Sequence, residues 1–265
     1  SQTAQPARVT EDGAGLGASA GPDRRPADDL VIAGLVPMST VDWPDHLTAT
    51  VFLQGCPWNC FYCHNRDLIP ARTPGQVPWE EVRALLRRRR GLLDGVVLTG
   101  GEALRQDALA DAAREVIDMG FQVGLHTAGP YPRRLRDMVE AGLVDWVGLD
   151  IKALPEHYGQ VVGRANAAAR AWESLEVLIE AAGRGGPDFE VRTTVVPGDV
   201  TADDAVEVAR RVHAAGARVY ALQQARSEGT SGEFDVVAPG WDGMCERMAE
   251  RIEALGWDRF TYRPA

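Results

Sequence analysis

Residues 51 to 65 read VFLQGCPWNCFYCHN and hold three of the four cysteines of this 265-residue chain. Cys56, Cys60 and Cys63 are separated by three and then two residues, on a stretch that also contains glycine and proline. Such a loop can wrap three thiolates around one inorganic centre. A 4Fe-4S cluster normally takes four cysteine ligands, so three leave one iron open to a ligand from outside the protein. An open position of this kind separates a reactive centre from a structural one.

The same thiols allow a second interpretation, a zinc site of three thiolates completed by His64. Incidental core cysteines are a third, but the three residues follow neither a strand period nor a helix period. In a reducing compartment, clustered thiols more often bind metal or carry out redox chemistry than form disulfides. From the cysteines alone, both metal interpretations stay open.

Composition and charge limit the classes of function. With 45% hydrophobic residues the chain can bury a large core, and we favour one barrel-sized domain over two small ones. The formal net charge of -10 gives no attraction to nucleic acid or to anionic membranes. Residues 1–29 contain no continuous apolar run, so we expect a cytoplasmic protein without a membrane span. Their Ala, Gly, Pro and Asp content predicts a disordered tail, followed by a single domain over residues 30–265.

From Leu30 onward, short apolar runs alternate with amphipathic segments of helical length. Six buried strands are predicted, at residues 47–54, 94–101, 121–129, 144–152, 189–198 and 217–224. Several helical segments begin at Pro, Thr or Asp and end at Gly, as helices commonly do. Repeated strand and helix units predict a parallel sheet with right-handed crossovers, either open or rolled into a partial barrel. In both architectures ligands bind at the carboxyl ends of the strands.

Polar motifs fall at those strand ends. They are TGGE (99–102), HTAG (126–129), DIK (150–152) and RTTVVPG (192–198). The paired glycines let the backbone approach a ligand, and Glu102 can accept hydrogen bonds from an ammonium. Asp150 and Lys152 point to the same side of a strand, and Arg192 is costly within a strand unless it faces a polar cavity. The ordinary alternatives are a strand-to-helix turn and a surface ion pair.

The cysteine spacing, with Tyr62 just before the last cysteine, resembles the signature of radical S-adenosylmethionine (SAM) enzymes. The wider stretch VPMSTVDWPDHLTATVFLQGCPWNCFYCHN (36–65) resembles the amino-terminal region of the glycyl-radical-enzyme activases. Within that family it is most similar to the activating proteins of anaerobic ribonucleoside-triphosphate reductase and of pyruvate formate-lyase. The ordered strand-end motifs extend the resemblance over residues 30 to about 225.

This resemblance implies a partial (β/α)6 barrel in which Cys56, Cys60 and Cys63 hold a 4Fe-4S cluster. SAM would chelate the open iron through its amino and carboxylate groups. Reductive cleavage of SAM would release methionine and a 5'-deoxyadenosyl radical, which removes hydrogen from a glycine Cα of a partner enzyme. The implied partners of this anaerobic oxidoreductase are a large glycyl radical enzyme and an electron donor such as flavodoxin or ferredoxin.

The resemblance also implies which residues bind SAM. They are Tyr62, His64, Gly100, Gly101, Glu102, Thr127, Asp150, Lys152 and Arg192. Glu102 would hold the methionine amino group, and Lys152 would meet the carboxylate or ribose region. His126 stands where the pyruvate formate-lyase activases carry an acid, so a cation site served by that acid is not implied here. Two other functions stay open: a radical SAM enzyme that modifies a small molecule or peptide, and a non-catalytic zinc or iron-sulfur binding protein.

Overall fold

The computed structural model describes residues 26–265 and contains one eight-stranded sheet. The strands are β1 (Ile32–Ser39), β2 (Thr48–Leu53), β3 (Gly95–Gly100), β4 (Gln122–Thr127), β5 (Trp146–Asp150), β6 (Asp188–Val195), β7 (Val219–Gln224) and β8 (Arg259–Arg263). The helices are α1 (Trp79–Arg88), α2 (Leu109–Asp118), α3 (Pro132–Glu140), α4 (Tyr158–Val162), α5 (Ala167–Ala182), α6 (Val200–Ala215) and α7 (Trp241–Glu253). Short 3-10 helices cover Pro26–Asp29, Arg66–Leu68 and Ala103–Arg105. Within the described residues, no helix combines the length and the hydrophobicity needed to cross a membrane.

The strands follow one another across the sheet in chain order. β1 is antiparallel to β2, and all pairs from β2 to β8 are parallel. At least one α-helix follows each strand from β2 to β7, which is the repeated β/α unit expected from the sequence. In the described part of the chain β8 does not pair with β1, so the sheet is a partial barrel. The predicted (β/α)6 architecture and its six strands are confirmed.

Two strands and one α-helix were not predicted: the edge strands β1 and β8 and the five-residue helix α4. Edge strands face solvent along one side and need no continuous apolar run. β1 accordingly exposes Val36, Pro37 and Met38, and β8 reads RFTYR. Helix α4 is too short for its hydrophobic residues to establish a helical period.

The folded part of the chain begins earlier than the predicted end of the tail. Residues 26–29 form a 3-10 helix in which Ala27 is fully buried. The Asp28 carboxylate accepts a hydrogen bond from Arg83 Nη1 of α1 at 2.6 Å, and Arg83 itself is largely buried. The prediction of a tail is therefore wrong for these four residues, because an ion pair and an apolar contact fix them to the helices. The rest of the predicted tail, residues 1–25, lies outside the described residues.

Trp43, in the loop between β1 and β2, fills the amino-terminal end of the barrel. Its side chain is buried, and its ring stacks on Trp146 with 5.6 Å between ring centroids. Small residues on the strands make room for the indole: a Cβ built on Gly124 would lie 2.7 Å from Trp43 Cε3. This end of the barrel is therefore closed by packed side chains, opposite to the rim formed by the carboxyl ends of the strands.

We predict that Gly124→Ala lowers the free energy of unfolding by about 1–3 kcal/mol, because the new methyl group must displace a tightly packed indole. Urea denaturation followed by tryptophan fluorescence measures this loss. Gly34→Ala on β1 is the matched control, since a Cβ there meets no described atom within 4 Å. Equal stability of the two variants would contradict tight packing around Trp43.

Candidate active site at the carboxyl ends of the strands

The three clustered cysteines lie on the loop that follows β2 at the rim of the barrel. Gly55 turns the chain after the strand with a φ of +97°, a conformation that favours glycine. The backbone N–H of Cys56 donates to the Ile69 carbonyl at 3.1 Å, and that of Cys63 donates to the Cys60 carbonyl at 3.1 Å. Cys60 is buried, while Cys56 and Cys63 are half-buried. We refer to residues 55–64 as the cysteine loop.

Burial favours the protonated form of two thiols of the cysteine loop, those of Cys56 and Cys60. It raises the pKa of Cys56 to about 12, with a further contribution from the negative charge of Glu102. Burial also raises the pKa of Cys60 above its ordinary value. Thiolate ligands at these positions require a metal charge to displace their protons, so metal binding would release protons.

Helix α4 supports the cysteine loop from the side. The Asn59 backbone N–H donates to the Val162 carbonyl at the end of α4, with a distance of 3.0 Å. Trp58 is buried and packs edge-on against Tyr158, the first residue of α4, with 6.0 Å between ring centroids. The unpredicted helix therefore helps to fix the conformation of the cysteine loop.

The Gly-Gly-Glu sequence at the end of β3 packs directly on the start of the cysteine loop. A Cβ built on Gly100 would lie 2.2 Å from the backbone N and O of Leu53, and one on Gly101 would lie 2.5 Å from the Gly55 carbonyl oxygen. The Glu102 N–H donates to that same Gly55 carbonyl at 2.9 Å. Both glycines are therefore required by backbone contacts within the protein.

The Glu102 carboxylate joins the end of β3 to the end of β4. One oxygen accepts hydrogen bonds from Leu104 N at 3.1 Å and from Thr127 Oγ1 at 2.8 Å, and the other accepts from Ala128 N at 3.0 Å. Glu102 is only 1% exposed, and burial raises its pKa to about 7 although these hydrogen bonds favour the ionised form. An ammonium group bound here would add a fourth donor to this carboxylate.

Lys152 places a buried positive charge beside the cysteine loop. Its Nζ donates to Asp150 Oδ2 at 3.1 Å and to Tyr62 OH at 3.4 Å, and it lies 5.4 Å from the centroid of the Tyr62 ring. Burial opposes the charged form, but Tyr62 and Asp150 outweigh it and raise the pKa of Lys152. The ammonium therefore stays charged next to the cysteine loop.

A second charged network occupies the barrel interior. Arg192 donates from Nε to Glu190 Oε1 at 2.8 Å, and its guanidinium lies 5.2 Å from the centroid of the Trp146 ring. Arg263 of β8 binds both oxygens of the fully buried Glu190, at 3.0 and 3.1 Å. Burial and the nearby guanidinium of Arg192 lower the pKa of His126 to about 4. His126 is thus a neutral imidazole, 3.3 Å from Arg192 Nη1.

Tyr62, Glu102, Thr127, Asp150 and Lys152 meet at this rim, whereas Arg192 lies in the barrel interior against Trp146. Hydrogen bonds connect the side chain of Lys152 with those of Tyr62 and Asp150, and the side chain of Glu102 with that of Thr127. Arg192 is bound to Glu190, which was not predicted.

His64 lies exposed at the edge of the cysteine loop. Among residues 26–265, no group of three His, Cys, Asp or Glu side chains is arranged to hold a single metal ion. Glu190 and Arg192 alternate along one strand, and this charged alternation was a sequence signal for the interior network. No sequence pattern indicated the contacts of Tyr158 and Arg263.

Comparison with known families and proteins agrees with this fold. Residues 50–212 match the model of the Radical SAM superfamily. A Methanocaldococcus jannaschii protein named as a glycyl-radical enzyme activating enzyme is 28% identical over 198 residues, which are 73% of this chain and 79% of that protein. The pyruvate formate-lyase 1-activating enzyme of Escherichia coli K12 is 32% identical over 135 residues.

That second match covers 48% of this chain and 54% of the Escherichia coli enzyme, so the chain spans about half of the relative's length. Among solved structures, Streptococcus suis SuiB bound to S-adenosylmethionine has a TM-score of 0.61 at 10% identity. The match covers 79% of this chain and 48% of SuiB. This likeness confirms the fold of the partial barrel.

We predict that Glu190→Gln lowers the free energy of unfolding by about 3–5 kcal/mol, because it leaves the buried guanidinium of Arg192 without a counter-charge. Arg192 and Arg263 hold the pKa of Glu190 below its ordinary 4.5, against the effect of burial. The wild-type advantage should therefore be complete above pH 4.5 and decline as the pH falls through the lower, folded-state pKa. Urea denaturation across pH 3–8 measures it.

Glu180→Gln is the control, since Glu180 forms an exposed ion pair with Arg136 at 3.2 Å. Removing this pair should cost less than about 1 kcal/mol. If Glu190→Gln costs no more than Glu180→Gln, the interior network is not a fixed part of the site.

Proposed function

We propose that this chain, which belongs to the Radical SAM superfamily, is an activase that installs a glycyl radical on a partner enzyme. The observation that carries the proposal is the cysteine loop, with three thiols at the rim of a partial barrel beside a buried lysine. Similarity to proteins named as a glycyl-radical enzyme activating enzyme and as a pyruvate formate-lyase 1-activating enzyme supports the class of substrate.

The donor set fits the 4Fe-4S cluster that members of this superfamily use. Three thiols lie within one loop, and the fourth cysteine, Cys245, is fully buried in the packing of α7. We assign Cys56, Cys60 and Cys63 as cluster ligands, which leaves one iron for SAM. When SAM is bound at the reduced cluster, it supplies a 5'-deoxyadenosyl radical that can remove hydrogen from carbon.

The charged groups at the rim suit the two ends of the methionine moiety of SAM. Lys152, held by Asp150 and Tyr62, offers its ammonium to the carboxylate or to the ribose region. Glu102 offers its carboxylate to the amino group at the place where β3 and β4 converge. We assign further contacts with SAM to Gly100, Gly101, Tyr62, His64, Thr127, Asp150 and Arg192.

The aromatic residues of the cysteine loop exclude water from the cluster position. Trp58 and Tyr62 are buried, and Phe61 lies edge-on to Tyr62 with 5.2 Å between ring centroids. Burial and hydrogen bonds to sulfur tune the reduction potentials of iron-sulfur clusters. The same exclusion protects a radical from side reactions with solvent.

The finer assignments rest on sequence resemblance. The resemblance of residues 36–65 supports anaerobic ribonucleoside-triphosphate reductase as the partner, and the family resemblance as a whole implies a flavodoxin or ferredoxin as the electron donor. The alternative within the same chemistry is a radical SAM enzyme that acts on a small molecule or peptide, and a substrate assay separates the two.

We predict that protein reconstituted without oxygen holds about four iron and four sulfide per chain. Cys56→Ala, Cys60→Ala and Cys63→Ala should each abolish a stable cluster, because two thiolates cannot hold it. Iron and sulfide analysis with absorption spectroscopy measures the loss, and Cys245→Ala is the control that should load normally. Stoichiometric zinc without iron uptake would contradict the assignment and favour a zinc-binding protein.

We predict that the reconstituted protein, mixed anaerobically with SAM, a reductant and its partner, generates a doublet glycyl-radical signal in electron paramagnetic resonance. Deuterium placed on the Cα of the target glycine should appear in 5'-deoxyadenosine, because that hydrogen is the one removed. The control is the partner with its target glycine replaced by alanine. If no glycyl radical enzyme responds, while a small metabolite or peptide stimulates SAM cleavage and is itself altered, the alternative function is correct.

A further inference from the structure

A long irregular segment connects β7 to α7 and passes over the cysteine loop. It comprises residues 225–240 and contains no helix or strand. Irregular connections of this length are uncommon in compact domains and often have a function. We call it the cover segment.

The first contact of the cover segment is a backbone contact with the residue after the last clustered cysteine. Gly229 has a φ of +73°, and a Cβ built on it would lie 2.0 Å from the His64 carbonyl oxygen. No side chain fits at this distance. The backbone of the cover segment therefore lies directly against the end of the cysteine loop.

The second contact is aromatic. Phe234 lies edge-on to Phe61, with 5.4 Å between ring centroids and an interplanar angle of 84°. Phe61 in turn lies edge-on to Tyr62, the partner of the Lys152 ammonium. The side chain of Phe234 is partly buried, while Ser231, Gly232 and Glu233 between the two contacts are exposed.

We propose that the cover segment closes over the cysteine loop and restricts access to Cys60 and Cys63, with Gly229 and Phe234 as positioning residues. Phe61 and His64, the residues it contacts, stand immediately after these two cysteines in the sequence. The contacts with Phe61 and His64 are local, so the middle of the segment leaves the cysteine loop without unfolding of the barrel, while Val236 and Ala238 further along pack against the core. The inference rests on the proposed function and extends it, since restricted solvent access to Cys60 and Cys63 suits a radical-generating cluster.

The first experiment measures thiol alkylation in the full-length, cluster-free protein. Iodoacetamide labelling of each cysteine is followed by peptide mass spectrometry over time. Gly229→Ala should label at Cys60 and Cys63 about tenfold faster than wild type, because its methyl group cannot coexist with the closed contact and labelling follows the open population. Gly232→Ala is the matched control: it has the same φ of +73°, and a Cβ there meets no described atom within 4 Å.

Cys245 provides an internal control in every sample, because it is fully buried on α7. If Gly229→Ala accelerates labelling at Cys245 as much as at Cys60, the barrel has opened globally and the proposal is wrong. Equal labelling rates for Gly229→Ala and Gly232→Ala would also overturn it.

The second experiment measures loss of iron from the reconstituted protein to a chelator such as bathophenanthroline. Phe234→Ala should lose iron several-fold faster than wild type, and Phe234→Leu should restore part of the protection. Val237→Ala is the control: Val237 is 79% exposed, and this variant should lose iron at the wild-type rate. Unchanged iron loss in Phe234→Ala contradicts the proposal. Neither experiment contains a partner enzyme, so a failure to form a glycyl radical leaves both results standing.

Discussion

The site depends on the contact between the end of β3 and the backbone that leaves β2. Gly100 and Gly101 lie so close to Leu53 and Gly55 that any side chain at either glycine would overlap main-chain atoms. This contact directs the Gly55 carbonyl toward the Glu102 N–H and fixes where the cysteine loop begins. Because the Glu102 carboxylate then binds Thr127 and the Ala128 N–H, the same contact sets the relative positions of three strand ends.

The charged side chains in the interior of the barrel form ion pairs with one another. Lys152 is paired with Asp150, and Arg192 and Arg263 share the carboxylate of Glu190. In a low-dielectric interior an unpaired charge is costly, so each pairing holds a long side chain in one orientation. Asp150 and Arg192 are also neighbours in the register of β5 and β6, which links the two networks. His126 lies beside the positive charge of Arg192, so the electrostatic potential in this part of the barrel is more positive than it would be with an acid at position 126.

The sequence predicted those parts of the molecule that depend on local patterns. Central strands are buried on both faces and therefore appear as apolar runs, and the cysteine spacing is a local motif. The edge strands, helix α4 and the interior partner Arg263 follow from contacts between residues distant in the chain, which no local period records. The ion pair between Asp28 and Arg83, which attaches Pro26–Asp29 to α1, is of the same kind. The sequence indicated that Glu102 faces a ligand, but its contacts with Leu104, Thr127 and Ala128 became evident only with the fold.

The cysteine loop is held by three separate elements, each near a different cysteine. The turn after β3 holds the backbone next to Cys56, helix α4 binds the residue before Cys60, and the cover segment contacts the residue after Cys63. All three act through neighbouring residues, so the thiols themselves stay available as ligands. Two of these supports belong to the β/α units of the barrel, while the third is the irregular segment that we propose to open. A loop held in this way would keep the three proposed ligands in fixed positions and leave its outer edge open to the proposed protein substrate.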